Sequence, residues 1–196
     1  MLPGEKRFKV LDTEQKAPHF EAKPTFGLHF SLNDACRERP LVLIFVPSLG
    51  SAISRACLAQ VQEMVSAFDL AGVGLVGLTR STLRATQDFV PRYHLRFPLI
   101  ADPQGAIFSQ YGVDRLGLKQ ALNSLRLGAL KQGIQALRFG VGLPEKALFW
   151  PPAAFAIAQG GLICHTHISR SLVSTLPLPL LLTKAESAKA PKPKSR

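Results

Sequence analysis

Sulfur is scarce in this chain of 196 residues, which holds three cysteines, Cys36, Cys57 and Cys164, and two methionines. Three is an odd number, and the spacings fit neither a disulfide framework nor a metal-binding set, so neither is expected to organise the fold. Such usage suits a reducing compartment, here the cytoplasm. Long apolar runs are missing as well. The most apolar late segment, STLPLPLLL, is far shorter than the ~20 residues of a membrane helix and carries two prolines. No apolar stretch follows the charged opening MLPGEKRFKV, so no secretory signal is expected. Nothing in the residues asks for a cofactor or a metal.

Acidic residues are few, 13 against 24 Lys and Arg, and the formal net charge is +11. The excess is local. Lys184, Lys189, Lys192, Lys194 and Arg196 against Glu186 give the tail +4, and Arg115, Lys119, Arg126, Lys131, Arg138 and Lys146 against Glu145 give a second stretch +5. Only +2 is left for everything else. A basic surface attracts nucleic acid, anionic membrane or an acidic protein, but no RNP strand or zinc spacing accompanies it, so specific nucleic-acid binding is not expected. A solvated helix face and a solubilising tail account for most such charge.

What is present reads as alternating strands and helices. Residues 17–39 alternate apolar and polar side chains around Gly27, predicting a β-hairpin followed by a short turn. Leu41 to Val46, LVLIFV, is a continuous apolar run suited to a strand buried on both faces. Ile53, Cys57, Val61, Met64, Val65 and Phe68 then follow helical spacing up to Ala71-Gly72. Val73 to Thr79 predicts a second strand, Thr82 to His94 a helix shortened or kinked at Pro91, and Phe97 to Ala101 a third strand closed by the turn Asp102 to Gly105. Residues 115–146 form a basic, leucine-rich helical insert interrupted by Gly128 and Gly133. PAAFAIAQGGLICHTHI, Pro152 to Ile168, reads as a closing hairpin. The order implies one α/β domain over 17–183, with a lead at 1–16 and a disordered basic tail at 184–196.

With that order in place, the chain resembles the peroxiredoxin and AhpC/TSA branch of the thioredoxin fold. Ala17-Pro18-His19-Phe20 is similar to the family's opening APDF, LVLIFVPS to its apolar strand and catalytic turn, and VGLVGLT to its strand VVGIS. FPLIADPQGAIFSQYGV resembles the family's FPLLSDPDGEVAKAYGV, and PAAFAIAQGGLI resembles PTTFLIDPDGRI. The resemblance implies a central mixed sheet flanked by helices, a thiol-dependent peroxidase ancestry, and a peroxide and a thioredoxin-like reductant as partners. It also implies that Pro152 is a cis-proline facing the redox turn.

Two patterns of the family lie over Pro47 to Val61 in one register and without a gap. Against G-C-x-x-C, Ser51 and Ser54 occupy the two cysteine positions; against P-x-x-x-T-x-x-C, Pro47 is the proline, Ser51 the threonine and Ser54 the peroxidatic cysteine. The family's catalytic arginine before its late strand has no equivalent, because Pro152 stands there, and the acidic residue of its FxID segment is Ala158. The residues alone leave open whether the serines are natural or engineered.

Serine stays protonated at neutral pH and forms neither a sulfenic acid nor a disulfide, so the family's reaction is not expected at Ser51 or Ser54. Either hydroxyl suits a helix N-cap, a role that stabilises by about 1 kcal/mol. A hydrolytic role needs a histidine base in reach; of His19, His29, His94, His165 and His167, the resemblance puts His165 and His167 in the late strand rather than beside the turn, and no G-x-S-x-G elbow is present, so hydrolysis is not expected. Cys57 is the candidate for rescued thiol chemistry, one helical turn past Ser54, although its apolar setting also suits a core residue. The competing reading is a non-catalytic relative whose basic insert binds an acidic partner.

Overall fold

The computed structural model describes residues 11–25, 27–116, 150–172 and 175–189. Five strands form one mixed sheet: β3 (Leu41–Val46), β4 (Gly74–Thr79), β5 (Leu99–Ala101), β6 (Ala153–Ile157) and β7 (Ile163–Ile168), in the spatial order β5-β4-β3-β6-β7. The pairs β3/β4 and β4/β5 are parallel, while β3/β6 and β6/β7 are antiparallel. Ahead of the sheet, β1 (Glu21–Ala22) and β2 (Phe30–Ser31) make a small antiparallel hairpin across Gly27, whose φ of 82° lies in the left-handed region that glycine tolerates.

All six residues of β3 are buried, as a central strand covered on both faces requires. Because side chains alternate, Val42, Ile44 and Val46 face one core and Leu41, Leu43 and Phe45 the other. The first core is closed by α2 (Ala52–Leu70), α3 (Leu83–Arg92) and α5 (Leu178–Ser187). The second is closed by α1 (Leu32–Glu38), α4 (Ala106–Gln110) and an aromatic group in which Phe45 contacts Phe108, Tyr111 and Phe155.

The buried stripe of α2 contains Cys57, Val61, Val65 and Phe68, as the spacing predicts, and adds Ser54 and Leu58, while Ile53 and Met64 lie at its partly covered margin. Pro91 falls in the last turn of α3, which ends at Arg92. The closing hairpin turns through Gly160 and Gly161, both at positive φ.

Two expectations are corrected and one, the turn Asp102 to Gly105, is present and extended. The short turn after the first hairpin is instead the seven-residue helix α1, started by Ser31, whose hydroxyl accepts the Asp34 amide N–H at 3.4 Å. The segment after Asp102 continues into α4, because the carboxylate of Asp102 takes the free amides of that helix. The tail boundary at 184 falls inside α5: its two prolines occupy the N-cap and first turn, where no amide N–H is needed, and Leu178, Leu181 and Ala185 are buried on the sheet. The lead is partly joined to the sheet, since the Glu14 amide donates to the Ile163 carbonyl and the Ile163 amide to the Gln15 carbonyl, both at 2.8 Å. The helical insert, from 117 on, and the tail from 190 on lie outside the described residues.

Candidate active site

The serine turn, Pro47 to Ser51, leaves the C-terminal end of β3 and enters α2. A buried hydroxyl network holds it. The Leu49 amide N–H donates to Ser81 Oγ at 2.9 Å, the Gly50 amide to Ser48 Oγ at 3.1 Å, and Thr79 Oγ1 donates to Ser81 Oγ at 3.3 Å. The backbone closes the turn as well, the Ser51 amide donating to the Ser48 carbonyl at 3.2 Å. The turn's first amides are therefore committed to the protein itself.

Ser51 stands at the N-cap of α2 with extended backbone, φ −80° and ψ 128°, but its hydroxyl makes no capping hydrogen bond. The expected cap is thus occupied in position only: the Ser51 carbonyl accepts the Arg55 amide at 3.1 Å, while the side chain is not turned onto the helix amides. Ser54 lies inside the first turn of α2 and is 4% exposed. That burial follows from its place three and four residues before Cys57 and Leu58 on the core-facing stripe.

Cys57 is 5% exposed in the first core, and burial pushes its thiol up to about 12 from an ordinary 9.0. Cys36, in the second core, is raised to about 11 for the same reason. Cys164 on β7 is partly exposed; burial raises it, while its backbone hydrogen bond and the charge of Lys184 pull the other way. All three are free thiols, and the two cores that hold Cys57 and Cys36 lie on opposite faces of the sheet.

Pro152 directly precedes Ala153, which pairs with Phe45, so it flanks the end of β3 from which the turn departs. The expectation of a cis bond there is corrected, since no peptide bond among the described residues is cis. In the trans form the Pro152 carbonyl accepts the Ser169 amide at 3.0 Å and so continues the β6/β7 pairing.

Two arginines at the rim escaped the reading of the sequence. Arg55 Nε donates to the Leu49 carbonyl at 2.6 Å and its Nη1 to the Tyr93 hydroxyl at 2.8 Å. Arg80, just past β4, donates its amide to the Pro47 carbonyl at 3.2 Å and stacks its guanidinium on Trp150. Only the position of Arg55 directly after Ser54 signalled it in the sequence; Arg80 and Trp150 are 70 residues apart and meet through the fold alone.

The histidines lie elsewhere. His19 and His29 sit 3.5 and 3.7 Å from the Glu21 carboxylate on the small hairpin. His165 and His167 are on β7, both lowered by burial first, then by the positive charge of a neighbour, Lys184 for His165 and His165 for His167. Among the described residues no histidine is hydrogen-bonded to Ser51 or Ser54, so the turn lacks the base of a hydrolytic triad.

Comparison with known proteins follows this geometry. The model of the AhpC/TSA family matches residues 13–134. A Coxiella burnetii protein named as a peroxiredoxin, bcp, is 28% identical over 131 residues, covering 66% of this chain and 80% of that protein. In fold, the chain is similar to the peroxidoxin BcpB of Mycobacterium tuberculosis, with TM-score 0.62 and 19% identity over 91% of this chain and 98% of that one. It is also similar to the reduced 2-Cys peroxiredoxin of Plasmodium vivax, with TM-score 0.64 and 15% identity over 87% and 78% of the two chains.

Proposed function

The chain belongs to the AhpC/TSA family, and from that premise we propose that it keeps the scaffold of a thiol peroxidase without running peroxide reduction at its serine turn. The observation that carries this is the placement of sulfur. Peroxide reduction needs a thiolate that attacks one peroxide oxygen, breaks the O–O bond, releases water or an alcohol and is left as a sulfenic acid. Ser51 and Ser54 cannot supply that thiolate. The thiol next in sequence, Cys57, is 5% exposed and raised to about 12. At pH 7 that thiol keeps its proton, behind a packed core.

A peroxide and a thioredoxin-like reductant are accordingly partners of the ancestral reaction, and an acidic protein is the partner that the basic insert would take. The cytoplasm is the compartment we assign, since free thiols persist where the medium is reducing. No helix among the described residues is long and apolar enough to cross a membrane.

The test is peroxide consumption by the whole chain, with hydrogen peroxide and an alkyl hydroperoxide as substrates and dithiothreitol or thioredoxin as reductant. The expected rate equals that of the protein-free control, with no sulfenic acid on Cys57 by mass spectrometry. Catalytic turnover that Cys57→Ala abolishes would overturn the proposal.

A further inference from the structure

Arg80 leaves β4 beside the serine turn, its amide bonded to Pro47. Its guanidinium carbon stands 4.0 Å from the centre of the Trp150 ring, and the Arg115 guanidinium stands 5.9 Å from the same ring. The Arg80 guanidinium also rests on Gly105: a Cβ at that position would fall 2.9 Å from both Cζ and Nε, so a side chain there would have to displace it.

The polar edge of Arg80 is poorly served. Among the described residues Nε is buried with no hydrogen-bond partner, and Nη2 reaches only the Gln104 carbonyl at 3.5 Å, a long contact. The nearby Asp102 does not answer the charge, because its two carboxylate oxygens accept the amides of Ala106, Ile107 and Phe108 at 2.9, 2.9 and 3.0 Å. A buried donor left without a partner is uncommon and points to a ligand atom that completes it.

The chemistry of that ligand follows from the fork. Nε–H and Nη2–H of a guanidinium are parallel donors matched to two oxygens of a carboxylate or phosphate. Stacking on Trp150 fixes the plane of the fork before any ligand arrives, which lowers the entropy lost on binding. Arg115 at the same ring adds a second positive charge.

We propose that Arg80, with Trp150 and Arg115, forms a subsite for an oxyanion, the carboxylate or phosphate of a small molecule lying against the sheet end beside the serine turn. The site stands whether or not the turn itself reacts.

Trp150 is the only tryptophan of the chain, so its emission reports on the stack directly. The full chain is titrated with octanoate and, separately, with inorganic phosphate, each against sodium chloride of equal ionic strength. The expected result is a saturable change with at least one of the two anions that chloride does not reproduce. Arg80→Lys keeps the charge and loses the fork, and weakens the response at least about tenfold. Gly105→Ala weakens it through the displaced guanidinium. Saturation by octanoate alone identifies a carboxylate ligand, and by phosphate alone a phosphorylated one. A response that chloride matches, or one whose affinity is unchanged in Arg80→Lys, overturns the proposal. Should the variants fail to fold, the Arg80 Nε–H resonance of the natural chain decides: it moves downfield with saturating anion if the site is real and stays in place if it is not.

Discussion

Arg55 and Tyr93 join the serine turn to α3: the arginine Nη1 donates to the tyrosine hydroxyl at 2.8 Å while its Nε holds the Leu49 carbonyl at 2.6 Å. Its guanidinium also lies 5.4 Å from the Tyr93 ring centre, and that ring stacks on Phe89 at 4.1 Å. Replacing Arg55 with methionine keeps the aliphatic stem and removes these contacts. Urea unfolding should show a loss of about 2 kcal/mol, and Tyr93→Phe about 1 kcal/mol. Since the two share one bond, the double variant should lose less than the two single losses combined. Strict additivity would mean that the bond contributes nothing.

Ser54→Cys places sulfur in the first turn of a 19-residue helix, where unpaired amides and the helix dipole favour a thiolate. Its pKa, followed by thiolate absorbance, should fall below the ordinary thiol value despite burial. The variant should then consume peroxide with dithiothreitol faster than the natural chain. A thiol titrating above its ordinary value would show that the turn no longer favours an anion.

Asp102 begins α4 by accepting three successive amides. Asp102→Ala leaves those donors unsatisfied and should lower unfolding stability by about 3 kcal/mol, with Asp102→Asn near half of that. Hydrogen exchange at the Ala106 to Phe108 amides should rise in step; unchanged protection there would rule out the capping role.

Alkaline pH should destabilise the fold through its buried thiols. Both Cys57, raised to about 12, and Cys36, raised to about 11, keep the proton in the folded chain above the ordinary 9.0. Their contribution is complete below pH 9.0 and is lost as pH climbs toward the folded values. Denaturant titrations at pH 8 and pH 10 should differ by on the order of 2 kcal/mol, and the difference should shrink by about half in Cys57→Ala. An equal alkaline loss in that variant would assign it to other groups.

Acid pH acts through the histidines of β7. His165 and His167 are both lowered from an ordinary 6.5, so the unfolded chain takes up protons first and stability falls as pH drops through that region. The acid limb of a stability profile should flatten when both are replaced with glutamine, and an unchanged limb would exclude them.

The strands and the two long helices were legible because periodicity and burial coincide there: LVLIFV is apolar at every position and is buried at every position. The short elements were not. In α1 and α4, of seven and five residues, one capping side chain decides where the helix starts, and no apolar period is long enough to show it. In α5 the two prolines that argue against a membrane helix are, at a helix start, compatible with a helix.

At the site the division is sharper. The sequence by itself determined that serine and not cysteine stands at positions 51 and 54, because residue identity decides that chemistry before folding does. Only the tertiary structure decided that Ser54 and Cys57 are buried, that the Ser51 hydroxyl leaves the helix uncapped, and that Arg80 meets Trp150. Burial and orientation depend on neighbours far apart in the chain, and those neighbours are chosen by packing.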